Sequence, residues 1–346
     1  MRMPAGPAMA YIRIVEACNA RCRMCRFAGS GDKFRPSLEA LVRLFAQMQA
    51  MGVRHIRFTG AEPLLYEDLV PALAFVAGLD VEAGVITNGA LLGKHLEGLV
   101  RARTATVICS LDSPDADTHD LIRATPGLFD TAVRAIREMH RWRVRDRLPL
   151  RIGVNTVLNN LNYRQMVRMA RSLAEWGVDS WALNPVKDAP SLFLSRAQIL
   201  EFNRTVPEIE KALRDGGVSL KALTPYVLGR DDREVALSAG GRYPARPGRC
   251  YVPYLVAYVD AKQGTVTACN LLPHRKDRPL TQEGLWDKGF AAIWNSPAYR
   301  AKREAFARRA ARACTGCEPA NAALNARVDN AAHAGTVMQT GPDLIL

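Results

Sequence analysis

Short apolar runs alternate with longer amphipathic segments through the first half of the chain. The short runs have the length of buried strands and lie at 10–17, 55–60, 82–89, 105–112, 150–158 and 180–186. The longer segments have helical periodicity, as at 38–52, 128–142 and 163–177, and two of them end in glycine, at Gly52 and Gly177. Six strand–helix repeats predict an α/β fold with a parallel sheet and right-handed crossovers. Because eight repeats close a barrel, six predict an open partial (β/α)6 barrel, with ligands at the carboxyl ends of its strands.

The pattern changes after about residue 190. A helix at 195–214 precedes a Gly- and Pro-rich segment at 238–250, and alternating apolar runs within 254–270 then predict a β-hairpin. A basic helix and a stretch without pattern follow. The chain therefore divides into a partial barrel (1–190), a helix and linker (191–245), a small C-terminal hairpin-and-helix domain (246–322) and a tail (323–346).

Composition adds limits to this picture. The chain has 346 residues, of which 48% are hydrophobic and 23% charged, as in ordinary soluble proteins. Its longest apolar run, 69–79, is about half the length of a membrane span, and the N-terminus lacks the long apolar core of a signal peptide. We expect no membrane association and a cytoplasmic location.

The net charge of +13 permits nucleic acid, an acidic protein or an anionic substrate as a partner. Its densest basic stretch, 300–312, has the spacing of a solvated helix face. We expect no nucleic acid, because no basic strand with interleaved aromatic residues occurs.

Seven of the eight cysteines fall into two groups, which favours metal binding over disulfides in a reducing compartment. The first group, Cys18, Cys22 and Cys25, has the spacing C-x3-C-x2-C and follows the first predicted strand. Three thiolates can hold one face of a cubane iron–sulfur cluster. A zinc site would need a fourth ligand nearby, and no histidine occurs before residue 55.

The first cysteine group resembles the signature loop of the radical S-adenosylmethionine (SAM) superfamily. The resemblance implies that Cys18, Cys22 and Cys25 hold a [4Fe–4S] cluster whose fourth iron is chelated by the amino and carboxylate groups of SAM. Met24 stands where the family often has an aromatic residue near the adenine, so a thioether contact is expected there.

Further motifs of that family follow in order along the predicted strands. The segment 58–65 resembles the Gly-Gly-Glu-Pro motif, in which Gly60 matches the first glycine and Ala61 replaces the second. The resemblance implies that Glu62 receives the SAM amino group. The remaining matched positions are implied to lie near the ribose, methionine or carboxylate of SAM; they are Asn88, Ser110, Asp112, Arg123 and Asn155.

The second cysteine group is Cys250, Cys269, Cys314 and Cys317, with the spacing C-x18-C-x44-C-x2-C. On their own these residues suit zinc or an iron–sulfur cluster equally. Beside the first group they resemble the twitch domain, the short form of the SPASM domain, which implies a second, auxiliary [4Fe–4S] cluster with four protein ligands, serving electron transfer or structural support. The spacing is similar to that of 2-deoxy-scyllo-inosamine dehydrogenase, an aminocyclitol-oxidising twitch enzyme.

Strand parity separates the remaining candidates. If Ser110 faces the barrel interior, its neighbour Cys109 faces outward, so we expect a buried apolar side chain there; a hydrogen-donating thiol, as in family epimerases, is the alternative. If Asn155 faces inward, so does Arg151, which would grip a substrate anion or hydroxyls unless it is an edge residue.

Two further groups are weaker candidates for contacting substrate. Asn184 and Lys187 lie at the exit of the sixth strand. The others flank the second cysteine group and would line the substrate pocket or pack the small domain; they are Tyr251, Tyr254, His274 and Arg275.

The resemblance implies an enzyme that cleaves SAM to a 5′-deoxyadenosyl radical, which abstracts hydrogen from a substrate. We expect a small carbohydrate, aminocyclitol or sugar-nucleoside substrate, compatible with an anionic group, and dehydrogenation, epimerisation or decarboxylation in natural-product biosynthesis. A flavodoxin or ferredoxin would supply electrons. The alternative is a peptide-modifying enzyme, disfavoured because the first cluster cysteine, at residue 18, leaves no room for a preceding peptide-recognition domain. A zinc-binding nucleic-acid or scaffold protein is a third interpretation.

Overall fold

The computed structural model describes residues 6–220, 228–229, 231–241, 250–269, 280–313, 324–325 and 328. The strands are β1 (Met9–Val15), β2 (His55–Gly60), β3 (Glu82–Thr87), β4 (Thr106–Ser110), β5 (Arg151–Leu158), β6 (Ser180–Pro185), β7 (Ser219–Leu220), β8 (Val256–Asp260), β9 (Thr265–Thr267) and β10 (Thr281–Glu283). The α-helices are α1 (Leu38–Ala50), α2 (Leu69–Gly78), α3 (Leu92–Arg101), α4 (Ala116–Arg123), α5 (Leu128–Asp146), α6 (Met166–Glu175), α7 (Arg196–Asp215), α8 (Asp232–Ala239), α9 (Val252–Leu255), α10 (Leu285–Lys288), α11 (Phe290–Asn295) and α12 (Pro297–Ala313).

The described strands form one sheet in the order β10-β9-β8-β1-β2-β3-β4-β5-β6-β7. Strands β1 to β7 are parallel and sequential, with helices in the connections, so the predicted α/β architecture with six strand–helix repeats is confirmed. Because the strands are parallel, their carboxyl ends meet at one edge of the sheet, and the loops that follow them lie together.

Alternation along the strands separates a helix-covered face from a more open one. Along β5, Ile152, Val154 and Leu158 are buried in the main core, whereas Asn155 and Val157 on the opposite face are half-buried. Helix α5 packs an apolar stripe into the same core. Apolar burial of this kind, at about 25 cal/mol per Å² removed from water, is the main stabilising contribution.

Local signals define the helix ends. Helix α1 begins at Ser37, whose side chain accepts a hydrogen bond from the Ala40 N–H at 3.3 Å. Gly52, two residues after α1, has φ +87°, and Gly177, two residues after α6, has φ +76°. Both glycines that the sequence predicts to end these helices are therefore confirmed.

The C-terminal hairpin continues the barrel sheet. Strand β8 pairs in parallel with β1, placing Tyr258 opposite Tyr11 and Asp260 opposite Arg13, and β9 and β10 follow antiparallel. The rings of Tyr11 and Tyr258 stack with centroids 4.8 Å apart. This pairing sets the hairpin turn beside the loop that follows β1. Among the described residues, no helix is both long enough and apolar enough to cross a bilayer.

Candidate active site

The first three cysteines lie on the long loop between β1 and α1, here called the cluster loop (16–37). Backbone hydrogen bonds fold this loop back on itself: Cys18 N–H donates to the Ser30 carbonyl at 2.9 Å, and Gly29 N–H to the Ala20 carbonyl at 2.8 Å. A third bond, from Arg23 N–H to the Ile122 carbonyl at 3.0 Å, ties the loop to α4. These backbone hydrogen bonds hold the loop in its folded shape and against α4.

Each of the three sulfurs faces a nitrogen donor. Cys18 Sγ accepts from the Ala20 N–H at 3.4 Å, and Cys25 Sγ from the Phe27 N–H at 3.4 Å. Cys22 Sγ lies 3.8 Å from Nη1 of Arg123. Donors of this kind stabilise thiolates and tune the potentials of iron–sulfur clusters.

Burial distinguishes the three thiols. Cys25 is exposed and Cys22 is buried, and desolvation raises the thiol pKa of both Cys18 and Cys22. Binding iron would therefore remove a proton that the folded chain otherwise retains. Within the described ranges, no three His, Cys, Asp or Glu side chains converge on a single ion. The donor set fits a cubane, in which each thiolate binds a different iron.

Glu62 is a fully buried carboxylate that joins the loops after β2 and β3. Its Oε1 accepts hydrogen bonds from Leu64 N–H at 3.0 Å and Thr87 Oγ1 at 2.7 Å, and its Oε2 accepts one from Asn88 N–H at 2.7 Å. Burial raises the pKa of Glu62. A carboxylate accepts about four hydrogen bonds, so an acceptor position for the SAM amino group, the predicted role, remains on Oε2.

Gly60 and Ala61 directly precede Glu62. Their backbone conformations show why only the first of these two positions needs a glycine. Gly60 has φ +142°, and a Cβ on it would lie 2.4 Å from the Val15 carbonyl oxygen. Ala61 is not among the residues with positive φ, and its N–H donates to the same oxygen at 3.1 Å. The departure from the family motif at Ala61 therefore carries no backbone strain.

Asn88 bridges the predicted SAM edge and the cluster loop. Its Nδ2 donates to Asn19 Oδ1 at 2.8 Å and lies 3.9 Å from Cys18 Sγ, while its Oδ1 accepts from Ala90 N–H at 2.9 Å. It is 6% exposed. The sequence placed Asn88 near SAM; in the structure its amide positions the Cys18 side of the cluster loop.

Arg123 and Asp112 form a buried ion pair that the sequence did not predict. Arg123 Nε donates to Asp112 Oδ2 at 2.6 Å and Nη2 to Oδ1 at 3.0 Å, and Val157 N–H also donates to Oδ1 at 2.8 Å. Although burial disfavours its charged form, the Asp112 carboxylate raises the pKa of Arg123 above its ordinary value. Arg123 is therefore a permanent cation facing Cys22, and Asp112 is its partner rather than a free ligand for SAM.

The exits of β4, β5 and β6 bring the other SAM candidates together. Ser110 pairs in register with Asn155, and both side chains are half-buried on the open face. Met24 packs against an apolar patch formed by Val186, Ala189 and Leu192. This patch offers an apolar surface beside the cluster loop. Asn184 and Lys187 are half-buried beside it.

Two predicted substrate residues have other roles. Arg151 lies at the start of β5, at the sheet edge opposite the cluster loop, and pairs with Glu82, whose Oε2 also accepts a hydrogen bond from His55 Nδ1 at 3.1 Å. These two partners lower the pKa of Glu82 to about 2. The prediction that Arg151 grips substrate is thus corrected: an arginine at the amino end of a strand cannot reach the carboxyl edge.

Cys109 is fully buried in the core on the helix-covered face of β4. Burial raises its thiol pKa to about 12. A Cβ on Gly89 would lie 2.8 Å from its sulfur, so the thiol fills space beneath the loop after β3. Cys109 thus has the buried, apolar surroundings that strand parity predicts.

A cavity of about 140 Å³ opens between the cluster loop and the C-terminal hairpin. Its walls include Arg13, Arg26, Phe27, Thr59, Tyr258 and Asp260. None of these was among the predicted site residues. Arg26 and Phe27 could have been found, since they follow Cys25 directly, but Tyr258 and Asp260 reach the site only through the β1–β8 pairing.

Half of the second cysteine group lies in the described residues. Cys269 is buried two residues after the end of β9, and Cys250 Sγ accepts a hydrogen bond from Asn325 Nδ2 at 3.6 Å. Burial raises the thiol pKa of Cys250. Tyr251 and Tyr254 are half-buried nearby. The other predicted residues of this region lie outside the described residues; they are Cys314, Cys317, His274 and Arg275.

Comparison with protein-family models identifies both cysteine regions. Residues 12–179 match the radical SAM superfamily, and residues 250–318 match the SPASM iron–sulfur cluster-binding domain. The chain therefore combines a radical SAM domain with a SPASM-type domain. Its cofactors are SAM and a [4Fe–4S] cluster in the first domain, with further iron–sulfur binding in the second.

Curated relatives match mainly the radical SAM part. An AdoMet-dependent heme synthase of Oleidesulfovibrio alaskensis is 25% identical over 49% of this chain and 42% of its own length. A GTP 3′,8-cyclase of Chlorobaculum tepidum is 37% identical over 32% of this chain and 36% of its own. The chain spans less than half the length of these relatives. Neither is an aminocyclitol dehydrogenase, so the predicted similarity to that enzyme is not supported.

Solved structures match the fold over both parts of the chain. Streptococcus suis SuiB bound to S-adenosylmethionine has a TM-score of 0.67 at 16% identity, covering 90% of this chain and 73% of SuiB. SuiB has also been solved with its precursor peptide SuiA. The structure of anSMEcpe with AdoMet and the Kp18Cys peptide has a TM-score of 0.63 at 16% identity, covering 86% and 83%.

Proposed function

We propose that this chain is a radical SAM enzyme that modifies a peptide by abstracting hydrogen from one of its C–H bonds. This reverses the order of the two enzyme interpretations reached from sequence, where carbohydrate came first. SuiB and anSMEcpe, which share the fold across the barrel and the hairpin, both have structures with a bound peptide.

The observation that carries the proposal is the size and place of the cavity beside the cluster loop. Its volume of about 140 Å³ is below the roughly 300–1,000 Å³ that enclose a whole small-molecule ligand. A cavity of that size suits a single amino-acid side chain, with the rest of a peptide outside it. It is lined by Gly60 of the SAM motif and by Arg26, the residue after Cys25, so a side chain in this cavity would lie next to the proposed cofactor site.

SAM on a reduced [4Fe–4S] cluster supplies hydrogen-atom abstraction from unactivated C–H bonds. The chain's own residues hold and orient the two groups. Cys18, Cys22 and Cys25 would bind three irons, leaving the fourth for SAM. Arg123 offers a buried positive charge beside Cys22, which favours the anionic cluster there. Glu62 would receive the SAM amino group on its remaining acceptor position.

The apolar patch around Met24 would hold the adenine and exclude water from it. We further propose that Cys250 and Cys269, with Cys314 and Cys317, bind a second [4Fe–4S] cluster, which accepts an electron or supports the small domain. An acidic one-electron carrier such as flavodoxin or ferredoxin suits the net charge of +13.

The test is a turnover screen under anaerobic conditions with the reconstituted holoenzyme, SAM and dithionite. One arm contains synthetic peptide libraries, and the other contains uronic acids, aminocyclitols and nucleosides. Mass spectrometry reads 5′-deoxyadenosine and any mass change of the added compound. We expect mass changes in peptides only. Modified carbohydrate with unmodified peptide would overturn the proposal and restore the first interpretation.

A further inference from the structure

Two arginines and a phenylalanine form one wall of the cavity beside the cluster loop, here called the arginine pocket (the cavity lined by Arg13, Arg26, Phe27, Thr59, Tyr258 and Asp260). The guanidinium of Arg26 lies 4.7 Å from the centroid of the Phe27 ring, and that of Arg13 lies 5.5 Å from it. Two cation–π contacts to one ring restrain all three side chains. The positive charges are thus held at the cavity wall.

Most of the charged groups around the pocket are paired with one another, but Arg26 is not. Arg13 is paired with Asp260 and lies 3.7 Å from Glu16. The nearby Lys262 is paired with Glu16 and Asp32. Among the described residues, Arg26 has neither an ion pair nor a hydrogen bond, and Arg13 is the charged group that repels it most.

The nearby carboxylates of Glu16 and Asp260 are paired with Lys262 and Arg13 rather than with Arg26. Closing the pocket over an apolar side chain would desolvate a guanidinium that has no partner, which is unfavourable. Closing it over a carboxylate would supply the charge and the hydrogen bonds that Arg26 lacks.

We propose that the arginine pocket binds a carboxylate of the peptide substrate through Arg26, with Arg13 and Phe27 fixing the guanidinium. The inference rests on the proposed peptide-modifying function and names the substrate class as acidic peptides. A planar guanidinium binds a carboxylate in a two-point arrangement, which fixes orientation as well as position. Because Arg26 directly follows Cys25, the carboxylate anchors the substrate beside the cluster.

Location agrees with this role. The pocket lies at the carboxyl edge of the sheet, bounded by β1, β2, β8 and β9, and includes Gly60 of the SAM motif. The hydroxyl-bearing residues Thr59 and Thr265 line it as well, and they add neutral partners of the kind that a bound carboxylate accepts from.

Two sources of the carboxylate need separate arms in the experiment. Three acetylated hexapeptide libraries serve as probes: one with a central Glu and an amidated C-terminus, one with a central Gln and an amidated C-terminus, and one with a central Gln and a free C-terminal carboxylate. Equilibrium binding to the SAM-loaded oxidised holoenzyme is measured together with 5′-deoxyadenosine formation after reduction.

The variants are Arg26→Gln, Arg26→Lys and the matched control Arg23→Gln. Arg23 is an exposed arginine of the same loop, outside the pocket and without a described side-chain partner. We expect tighter binding of a carboxylate-bearing library than of the amidated Gln library. Arg26→Gln should weaken that binding about ten- to a hundredfold, the value of a hydrogen bond to a charged group. Arg26→Lys should retain part of it, and Arg23→Gln should match the unsubstituted enzyme.

Each contrary result is distinct. Two results would overturn the proposed carboxylate site: equal binding of all three libraries, or a loss of binding in Arg23→Gln as large as in Arg26→Gln. If peptide turnover persisted in these cases, the proposed function would still stand. A changed electron paramagnetic resonance signal of the cluster in Arg26→Gln would assign Arg26 to the cluster and also overturn the carboxylate site. Absence of peptide turnover in every arm would contradict the proposed function itself.

Discussion

At the scale of single residues, buried polar groups hold the site's loops together. Glu62 accepts hydrogen bonds from the loops after β2 and β3, Asp112 neutralises Arg123, and Asn88 contacts the cluster loop. Unpaired, each would cost about 1–3 kcal/mol or more of folding free energy. Residues that family motifs assign to SAM are therefore also the ones that fix the shape of its binding site.

Replacing Glu62 by Gln tests this double role. A glutamine amide nitrogen cannot accept the Asn88 or Thr87 donor that the lost oxygen held, so at least one buried donor loses its partner. We expect the free energy of unfolding to fall by about 1–3 kcal/mol and SAM affinity to fall as well. Urea denaturation and SAM titration measure the two effects. Glu67→Gln, at an exposed position nearby, is the control; equal stability of the two variants would contradict the assignment.

His119 contributes a pH-dependent term to stability. It is fully buried, its Nδ1 accepts a hydrogen bond from Asp112 N–H at 3.1 Å, and burial lowers its pKa to about 4. The unfolded chain takes up this proton first, since its histidine pKa is about 6.5. The stabilisation is therefore complete above pH 6.5 and is lost as pH falls towards 4.

Substituting His119 by Asn keeps an acceptor near the Asp112 N–H but removes the titration. Between pH 7 and 5.5 the unsubstituted protein should lose about 1 kcal/mol more unfolding free energy than His119→Asn. Urea denaturation at both pH values gives the difference. Parallel losses in the two proteins would show that His119 is not held neutral in the folded state.

Much of the site at residue scale was predictable, because the cysteines and the Glu62 motif are contiguous in sequence. The Asp112–Arg123 pair was not, although both residues were identified. Each was assigned to SAM by its motif, and no local pattern shows that two side chains eleven positions apart point at each other. Arg26 was missed because a charged residue after a cluster cysteine is ordinarily solvated.

At the scale of elements, the junction of β1 and β2 sets the active-site edge. The register between the two strands shifts after Arg13, so that Val15 lies opposite Gly60. The Val15 carbonyl then receives the Ala61 N–H at 3.1 Å. The two backbones approach so closely here that only a glycine fits at position 60 of β2.

Adjacent substitutions test the junction. Gly60→Ala places a Cβ against the Val15 carbonyl and forces φ out of the glycine region, which costs about 1–3 kcal/mol, and it should weaken SAM binding. Ala61→Gly removes a Cβ without strain and should change stability by under about 1 kcal/mol. Thermal denaturation and SAM titration compare them. Similar behaviour of both variants would contradict this account of the motif.

The first six strands were predicted within two residues at each end, because β-branched runs between helical periods carry a strong local signal. The joining of the hairpin to the barrel sheet was not predicted. The pairing of β1 with β8 links residues about 250 positions apart, and parallel pairing of distant strands leaves no mark in either strand alone. The short edge strands β7 and β10 have too few residues for any periodicity.

At the scale of the whole molecule, the sheet connects the two cysteine regions. Strand β8 carries Asp260 to Arg13 at the cluster-loop end, and β9 leads directly to Cys269. One continuous sheet therefore supports both the SAM cluster loop and the SPASM-type domain, with the arginine pocket between them. The proposed substrate position follows from the pairing of β8 with β1, which the sequence alone did not reveal.

The most direct test of the central claim is isotope transfer from peptide to 5′-deoxyadenosine. Peptide libraries built from deuterated amino acids are incubated anaerobically with holoenzyme, SAM and dithionite, and a deuterated uronic acid and aminocyclitol serve as parallel substrates. The account predicts deuterium in 5′-deoxyadenosine from the peptides and none above background from the carbohydrates. Deuterium transferred from a carbohydrate but from no peptide would contradict it.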